Sequence, residues 1–179
     1  MRTIKFLMLM VGLAVLATTV QAFEPDPNDP DQLAAAKAIA DIKAADPGIQ
    51  DFFDEAAGFA VFPSVGKGGI GIGGAYGKGL VIVDDKVIGK TALTQVTVGF
   101  QLGGQVYAEF IFFKDDVALS QFQRGNYELG AQASAVAATA GASADADYDK
   151  GVAIFTITGG GLMYEDTGGG QKFVYEAVQ

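Results

Sequence analysis

Two glycine-containing motifs in this chain match patterns that bind phosphate groups in other proteins. Gly69, Gly71 and Gly74 have the spacing of a dinucleotide-binding fingerprint, and Gly89-Lys90-Thr91 matches the end of a phosphate-binding loop. The fingerprint needs a helix directly after its glycines, because the N-terminus of that helix meets the pyrophosphate. Strand-like sequence follows Gly74 instead, and Asp84 stands where the phosphate-binding loop needs its first glycine. Neither motif therefore predicts a nucleotide site.

Three alternating acids form the next candidate site. Asp145, Asp147 and Asp149 have the acid spacing of a calcium-binding loop, which supplies several oxygen ligands from one turn. The complete loop also needs glycine and glutamate where Lys150 and Thr156 stand. A solvated acidic turn is the favoured interpretation, and whether the three carboxylates bind a cation stays open.

Paired carboxylates would be the remaining candidates for hydrolytic chemistry. Asp115-Asp116 and Glu165-Asp166 both lie at predicted element ends, where acids commonly cap helices or face solvent. The chain has no histidine and no cysteine, which removes thiol nucleophiles, cysteine-ligated metals and triads with a histidine base. The sequence therefore predicts a protein that is not an enzyme and has no catalytic residue, cofactor or metal site.

The chain is acidic, with 12 Lys and Arg against 21 Asp and Glu and a formal net charge of −9. An average charge of this sign repels nucleic acid and anionic lipid surfaces. No nucleic-acid partner is expected. The basic residues that come close together in sequence are Lys67, Lys78, Lys86 and Lys90.

Residues 1–22 have the features of a secretory signal peptide. The basic residues Arg2 and Lys5 precede an apolar stretch, Phe6–Ala17, and the cleavage-type sequence Val20-Gln21-Ala22 follows. The apolar stretch is short for a membrane span. We therefore expect cleavage near Ala22 and a periplasmic or secreted protein.

The expected mature chain begins with an acidic, proline-rich leader at residues 23–31, and residues 32–179 form a single domain. Hydrophobic periodicity predicts helices at Gln32–Ala45, Ile49–Ala57 and Asp115–Gln123, the first of them capped by Asp31. Strands are predicted at Phe59–Val65, Ile70–Tyr76, Leu80–Asp84, Thr94–Phe113, Val152–Thr158, Leu162–Glu165 and Phe173–Ala177, with turns at Gly159–Gly161 and Gly168–Gly170. The small-residue stretch Tyr127–Ala144 is interpreted as a tightly packed strand pair.

The glycine-rich run Gly66–Gly79 lies between apolar, strand-like segments, which favours crowded β-structure over a flexible linker. We predict an α+β fold in which N-terminal helices pack on a strongly twisted, mostly antiparallel, barrel-like sheet. Glycines are expected where its strands crowd or bend.

Five blocks between Ala57 and Glu176, in the expected order, resemble the SYLF lipid-binding family, in its bacterial branch with a signal peptide. The blocks are Phe59-Ala-Val-Phe-Pro63, Gly69–Gly77 with Gly79, Val98–Gln105 with the apolar strand to Phe113, Leu129–Ala135, and Gly160-Gly-Leu162. In eukaryotic members, basic residues and an N-terminal amphipathic segment bind phosphoinositide-containing membranes, and some members contact actin. This acidic chain departs from that pattern on both counts.

The resemblance implies a non-catalytic, exported protein of the cell envelope that binds lipid or a membrane surface through an apolar surface or groove. The candidate lipid contacts are Leu33, Ile39 and Ile42 on the first helix, with Lys67, Lys78 and Lys90 as headgroup partners. The alternative is a periplasmic protein-interaction or structural module that binds a partner protein and no lipid. No actin partner is expected, and the lipid identity and phosphoinositide specificity stay open.

Overall fold

The computed structural model of the protein describes residues 23–130, 135–168 and 170–178, with the backbone alone at 71, 98–102 and 160–168. Within these residues the chain forms three α-helices, six β-strands and two short 3₁₀-helices. The elements are α1 (Pro30–Ala45), a 3₁₀-helix (Pro47–Ile49), α2 (Gln50–Glu55), β1 (Gly58–Val83), β2 (Lys86–Phe113), α3 (Asp116–Gln123), β3 (Tyr127–Leu129), β4 (Val136–Ala137), a 3₁₀-helix (Ala142–Asp145), β5 (Val152–Gly168) and β6 (Gln171–Ala177).

The sheet is organised around β2. One edge of β2 pairs antiparallel with β1 from Val83–Lys86 to Gly58–Phe113. The other edge is shared, because β6 pairs with residues 89–95 of β2 and β5 pairs with residues 98–113. The strand β3 continues the sheet beside β6, and β4 pairs with β5 as the single parallel pair among the described strands.

The long strands curl until the two ends of β1 meet. A Cβ atom added to Gly77 would lie 2.7 Å from the Val65 side chain, and one added to Gly58 would lie 2.7 Å from the Val83 side chain. These residues are far apart along β1, so the strand bends back on itself. The predicted α+β fold with a strongly twisted, mostly antiparallel, barrel-like sheet is confirmed, and these glycines lie where the strand crowds itself.

Each face of the sheet buries its own apolar cluster. The inner face of the curl carries Phe62, Leu93 and Ile111, and α3 closes this cluster with Phe122. The outer face carries Val61, Leu80, Phe110 and Phe112, which belong to one cluster with Ala35, Ala38, Ile39 and Ile42 of α1. Phe53 of α2 packs against the Phe110 and Phe112 rings. The helices α1 and α2 reach only part of the outer face, and an uncovered part of it forms the surface described below.

The helix α1 begins two residues before its predicted start. Asp29 caps it, because the Asp29 carboxylate accepts hydrogen bonds from the N–H groups of Asp31 and Gln32. Pro30 fits the first helical position, where an N–H would have no partner inside the helix. The predicted cap at Asp31 is therefore wrong. Asp115, at the predicted start of α3, caps that helix by accepting a hydrogen bond from Ala118 N.

Several predicted strand boundaries are wrong. The three segments predicted between Phe59 and Asp84 are one strand, and the predicted turn Gly159–Gly161 lies inside β5. The predicted strand pair at Tyr127–Ala144 is also wrong over its described residues, which form β3, β4 and a 3₁₀-helix. A Cβ atom added to Gly159 would lie 3.3 Å from the Val106 carbonyl oxygen, so this glycine lies where a strand passes close to another backbone and does not form a turn.

The β1–β2 turn offers a test of local backbone strain. Asp84 and Asp85 have φ angles of 47° and 60° and connect Val83 to Lys86, as in a type I′ hairpin turn that favours Asn-Gly. We expect Asp85→Gly to raise the free energy of unfolding by about 0.5 kcal/mol, because glycine adopts positive φ without a Cβ clash. Urea unfolding measures this change. Asp84→Ala is the control, because it keeps the Cβ atom and removes the polar side chain, so it should lower the free energy of unfolding. A higher free energy of unfolding for Asp84→Ala would contradict the explanation by backbone strain.

Candidate functional site

An apolar surface extends over the part of the outer face that α1 leaves uncovered. It consists of four side chains from three neighbouring strands, which we call the apolar face: Ile72 (68% exposed), Tyr76 (53%), Val96 (64%) and Val174 (56%). The register places Gly74 opposite Val96 and Tyr76 opposite Thr94, so the β1 and β2 members are close neighbours. Ile70, 80% exposed, continues this surface along β1. Single exposed apolar residues are ordinary, but a contiguous patch on one sheet face indicates a contact surface.

A groove of about 830 Å³ lies beside the apolar face. Its walls are the first turns of α1, with Asp31 and Ala34, and the β1, β2 and β6 strands. Tyr76 and Val174 belong to both the groove and the apolar face. The groove is therefore continuous with the apolar face.

Three lysines share this side of the sheet. Lys78 and Lys90 line the groove, and Lys78 lies opposite Ala92, the β2 residue that also faces Val174. Lys172 lies opposite Thr94, the partner of Tyr76. Lys90 is 3.6 Å from Asp31, and Lys172 is 2.8 Å from Glu128, so both cations are held by exposed carboxylates. Asp31, Glu128 and Glu176 balance the three lysines, so this surface carries both charges and no excess of either.

The structure separates the six predicted lipid contacts into three groups. Lys78 and Lys90 lie together at the groove. Leu33 is 46% exposed on the first turns of α1, whereas Ile39 and Ile42 are buried between α1 and the sheet. Contact of these two isoleucines with lipid would require α1 to leave the sheet. Lys67 lies elsewhere, in a cavity on the inner face.

That inner cavity has a volume of about 230 Å³ and is mainly polar. Lys67 and Gln105 from neighbouring positions of β1 and β2, Thr156 of β5 and Gln171 of β6 contribute to its lining. Glu109 also lines it and is only 1% exposed. The Glu109 Oε2 atom accepts a hydrogen bond of 2.9 Å from Gln171 Nε2, but Oε1 has no hydrogen-bond partner among the described residues.

Glu109 differs from the other buried carboxylate, Asp46. Burial raises the pKa of Glu109 to about 7, and the Gln171 hydrogen bond and the Lys67 charge oppose this only in part. Burial also acts to raise the pKa of Asp46, but hydrogen bonds from Ser143, Gly141 and Gly48 lower it below its usual value. Asp46 therefore ties the end of α1 to the loop at 141–143, whereas Glu109 keeps an unused acceptor.

The other sequence motifs occupy ordinary structural positions. Gly69, Gly71 and Gly74 lie inside β1, so no helix follows them to hold a phosphate. Among the described residues no group of three acidic side chains, Asp145, Asp147 and Asp149 included, is placed to hold a metal ion. None of the described helices combines the length and the apolar character that a membrane crossing requires.

Sequence reasoning missed the apolar face and Glu109. The alternation between Thr94 and Val106 was visible, but it does not say which side of the strand faces the core. Here Val96 and Val106 point outward, while Gln95 lines the inner cavity. Glu109 could have been noticed as the single acid inside the apolar run from Val106 to Phe113, a position where a charge is costly.

Residues 94–165 match the family described as "Ysc84: Las17-binding protein actin regulator", which is the SYLF family. The match includes the blocks at Val98–Gln105, Leu129–Ala135 and Gly160–Leu162, and it confirms the resemblance that those blocks indicated. No curated protein matches the chain. The matched segment spans most of β2, α3 and most of β5, so it contains both Val96 and Glu109.

Proposed function

We propose that this chain, which matches the SYLF family over residues 94–165, binds lipid through the apolar face and the adjoining groove. The observation that carries the proposal is the exposure of Ile72, Tyr76, Val96 and Val174 together on one side of the sheet. A membrane surface or an acyl chain in the groove would remove these side chains from water. The proposed role is non-catalytic.

Apolar burial supplies enough free energy for this contact. Burying a valine or isoleucine side chain completely contributes roughly 1.5–3 kcal/mol, so partial insertion of three aliphatic side chains suffices for useful affinity. Tyr76 suits the boundary between hydrocarbon and headgroups, because its ring is apolar and its hydroxyl is polar. The groove beside it has room for part of an acyl chain.

The lysines beside the groove would set the orientation of a bound lipid. Lys78 and Lys90 line the groove, where they would face lipid phosphates when acyl carbons occupy it. Because the whole chain carries a net charge of −9, its long-range interaction with an anionic membrane is repulsive. We therefore propose that apolar contact dominates the affinity and that the lysines orient the lipid.

We further propose export to the periplasm or the exterior, with cleavage near Ala22. In support, the side chain of Phe23, the first residue after the expected cleavage site, packs against the outer-face cluster. An exported protein meets no cytoplasmic filament, so the actin regulation named for the family is not proposed for this chain. N-terminal sequencing of the protein from an envelope fraction tests the proposed export and cleavage. A chain that retains Met1 would contradict that proposal.

Co-sedimentation with vesicles tests the proposed lipid contact. We expect purified protein to bind vesicles of phosphatidylethanolamine and phosphatidylglycerol, and the Ile72→Ser/Val96→Ser variant to lose at least tenfold in affinity, about 1.4 kcal/mol. Binding should persist when salt is raised, because screening acts on charges and not on apolar contact. A collapse of binding with added salt would contradict the dominance of apolar contact.

Val117→Ser is the matched control, because Val117 is 65% exposed and lies on α3, away from the apolar face. It should bind as the wild type does. Equal losses in both variants would indicate a general effect of apolar content, and failure of folded wild-type protein to bind any vesicle would refute lipid binding. The alternative of a protein-interaction module would then be favoured, since the same exposed face could meet a partner protein.

A further inference from the structure

The inner cavity lies on the opposite side of the sheet from the apolar face, and the proposed lipid contact makes no use of it. Among its polar atoms is the buried Glu109 Oε1, which has no hydrogen-bond partner among the described residues. A buried acceptor without a donor costs free energy, and such atoms in native proteins call for an explanation. At this point the cavity is complementary to a hydrogen-bond donor.

The other residues that line the cavity limit the kind of donor molecule that could bind there. Gln95, Gln105 and Thr156 can each donate and accept hydrogen bonds, and Lys67 can donate. Glu109 disfavours an anion, and Lys67 disfavours a simple cation. A hard metal ion is favoured by several carboxylates, whereas the described lining offers one carboxylate together with the Lys67 cation.

The inner cavity is also lined by apolar side chains. Leu129 and Ile154 line the cavity beside the polar groups. A ligand that presents hydroxyl groups on its edge and C–H groups on its face would satisfy both kinds of neighbour. The cavity volume of about 230 Å³ suits a molecule of monosaccharide size.

We propose that the inner cavity binds a small neutral polyhydroxylated molecule, such as a monosaccharide, with one hydroxyl donating to Glu109 Oε1. A neighbouring hydroxyl would accept from Lys67 or Gln105, and the C–H face would contact Leu129 and Ile154. The Gln171 amide holds Glu109 Oε2, so the carboxylate is already oriented before the ligand arrives. This site is independent of the proposed lipid contact, because it uses the other face of the sheet.

Saturation-transfer difference NMR with D-glucose, D-galactose, D-ribose and glycerol tests the proposal on the full purified protein. We expect at least one sugar to bind and Glu109→Gln to weaken its binding about tenfold, as for loss of a hydrogen bond to a charged group. Glu128→Gln is the matched control, because Glu128 is an exposed glutamate that pairs with Lys172, and its affinity should equal that of the wild type.

The affinity should also depend on pH. A hydroxyl donor favours the ionised carboxylate, so binding should strengthen as the pH rises through the pKa of Glu109, about 7. The titratable groups lining the cavity beside Glu109 are Lys67 of β1 and Tyr107 of β2, whereas β5 and β6 contribute threonines and a glutamine. Ammonium chloride serves as the cationic probe in parallel.

Absence of binding by all four probes would overturn the proposal, as would equal affinity in the wild type and Glu109→Gln. Preferential binding of ammonium would overturn it in favour of a cation site. The Ile72→Ser/Val96→Ser variant should keep its sugar binding, so failure of lipid binding and failure of this site are distinguishable.

Discussion

Glu109→Gln is expected to raise the free energy of unfolding by about 3 kcal/mol at about pH 8 and by less than about 1 kcal/mol at about pH 5. The carboxyl has a pKa of about 7 in the folded protein against 4.5 for an ordinary glutamate. Above pH 7 the wild type keeps a charge in a site that disfavours it, whereas glutamine carries none. Urea unfolding of both proteins at the two pH values measures the difference.

The sign of this pH dependence follows from the number of protons that the folded and unfolded states bind. Because the folded pKa is raised, the folded state binds more protons than the unfolded state between about pH 4.5 and about pH 7. The contribution of Glu109 to stability is therefore fully present at lower pH and is lost as the pH rises through 7. Glu128→Gln, at an exposed position, should change stability little at either pH. Equal stabilisation by Glu109→Gln at both pH values would show that the stabilisation does not arise from removing the charge of Glu109.

Gly79→Ala is expected to destabilise the protein by about 3 kcal/mol or more, because the new methyl group has no space. An added Cβ would overlap the Val61 carbonyl oxygen and lie 2.7 Å from Cδ1 of the Phe62 ring. A backbone oxygen within the same curled strand cannot rotate away as a flexible side chain can. Thermal and urea unfolding measure the loss.

Gly66→Ala is its matched control on the same strand. A Cβ added at Gly66 meets no described atom within 4 Å, so this substitution should be neutral or slightly stabilising, as expected for alanine over glycine in extended backbone. If both substitutions cost the same free energy, the loss at Gly79 would reflect strand propensity and not the close approach of β1 to itself.

The sequence predicted the fold class because its local signals agree with the final structure. The alanine-rich stretch before Asp46 forms α1, and the apolar run ending at Phe113 forms the central part of the sheet. The boundaries were less predictable. Whether glycines such as Gly159 make a turn or let a strand pass another backbone depends on residues distant in sequence, and Val106 is the distant neighbour here.

The candidate site was predictable only in part. The charges of Lys78 and Lys90 predict headgroup contacts, and both residues line one groove. Helical periodicity places Ile39 and Ile42 on the apolar side of a helix, but it does not say whether a sheet covers that side. Val96 could not be assigned to the surface, because that depends on where α1 stops across the sheet.

The division of the second edge of β2 between β5 and β6 has a consequence for the timing of folding during synthesis. The inner cluster includes Phe173 of β6, which is 1% exposed, and residues 89–95 of β2 pair on that edge with β6. The β1–β2 hairpin can form early, but its inner face has no complete cover until Phe173 has left the ribosome. Non-local strand pairing of this kind is slow. We therefore expect the nascent chain to lack a closed core until β6 is synthesised, which is the state that the proposed export would require.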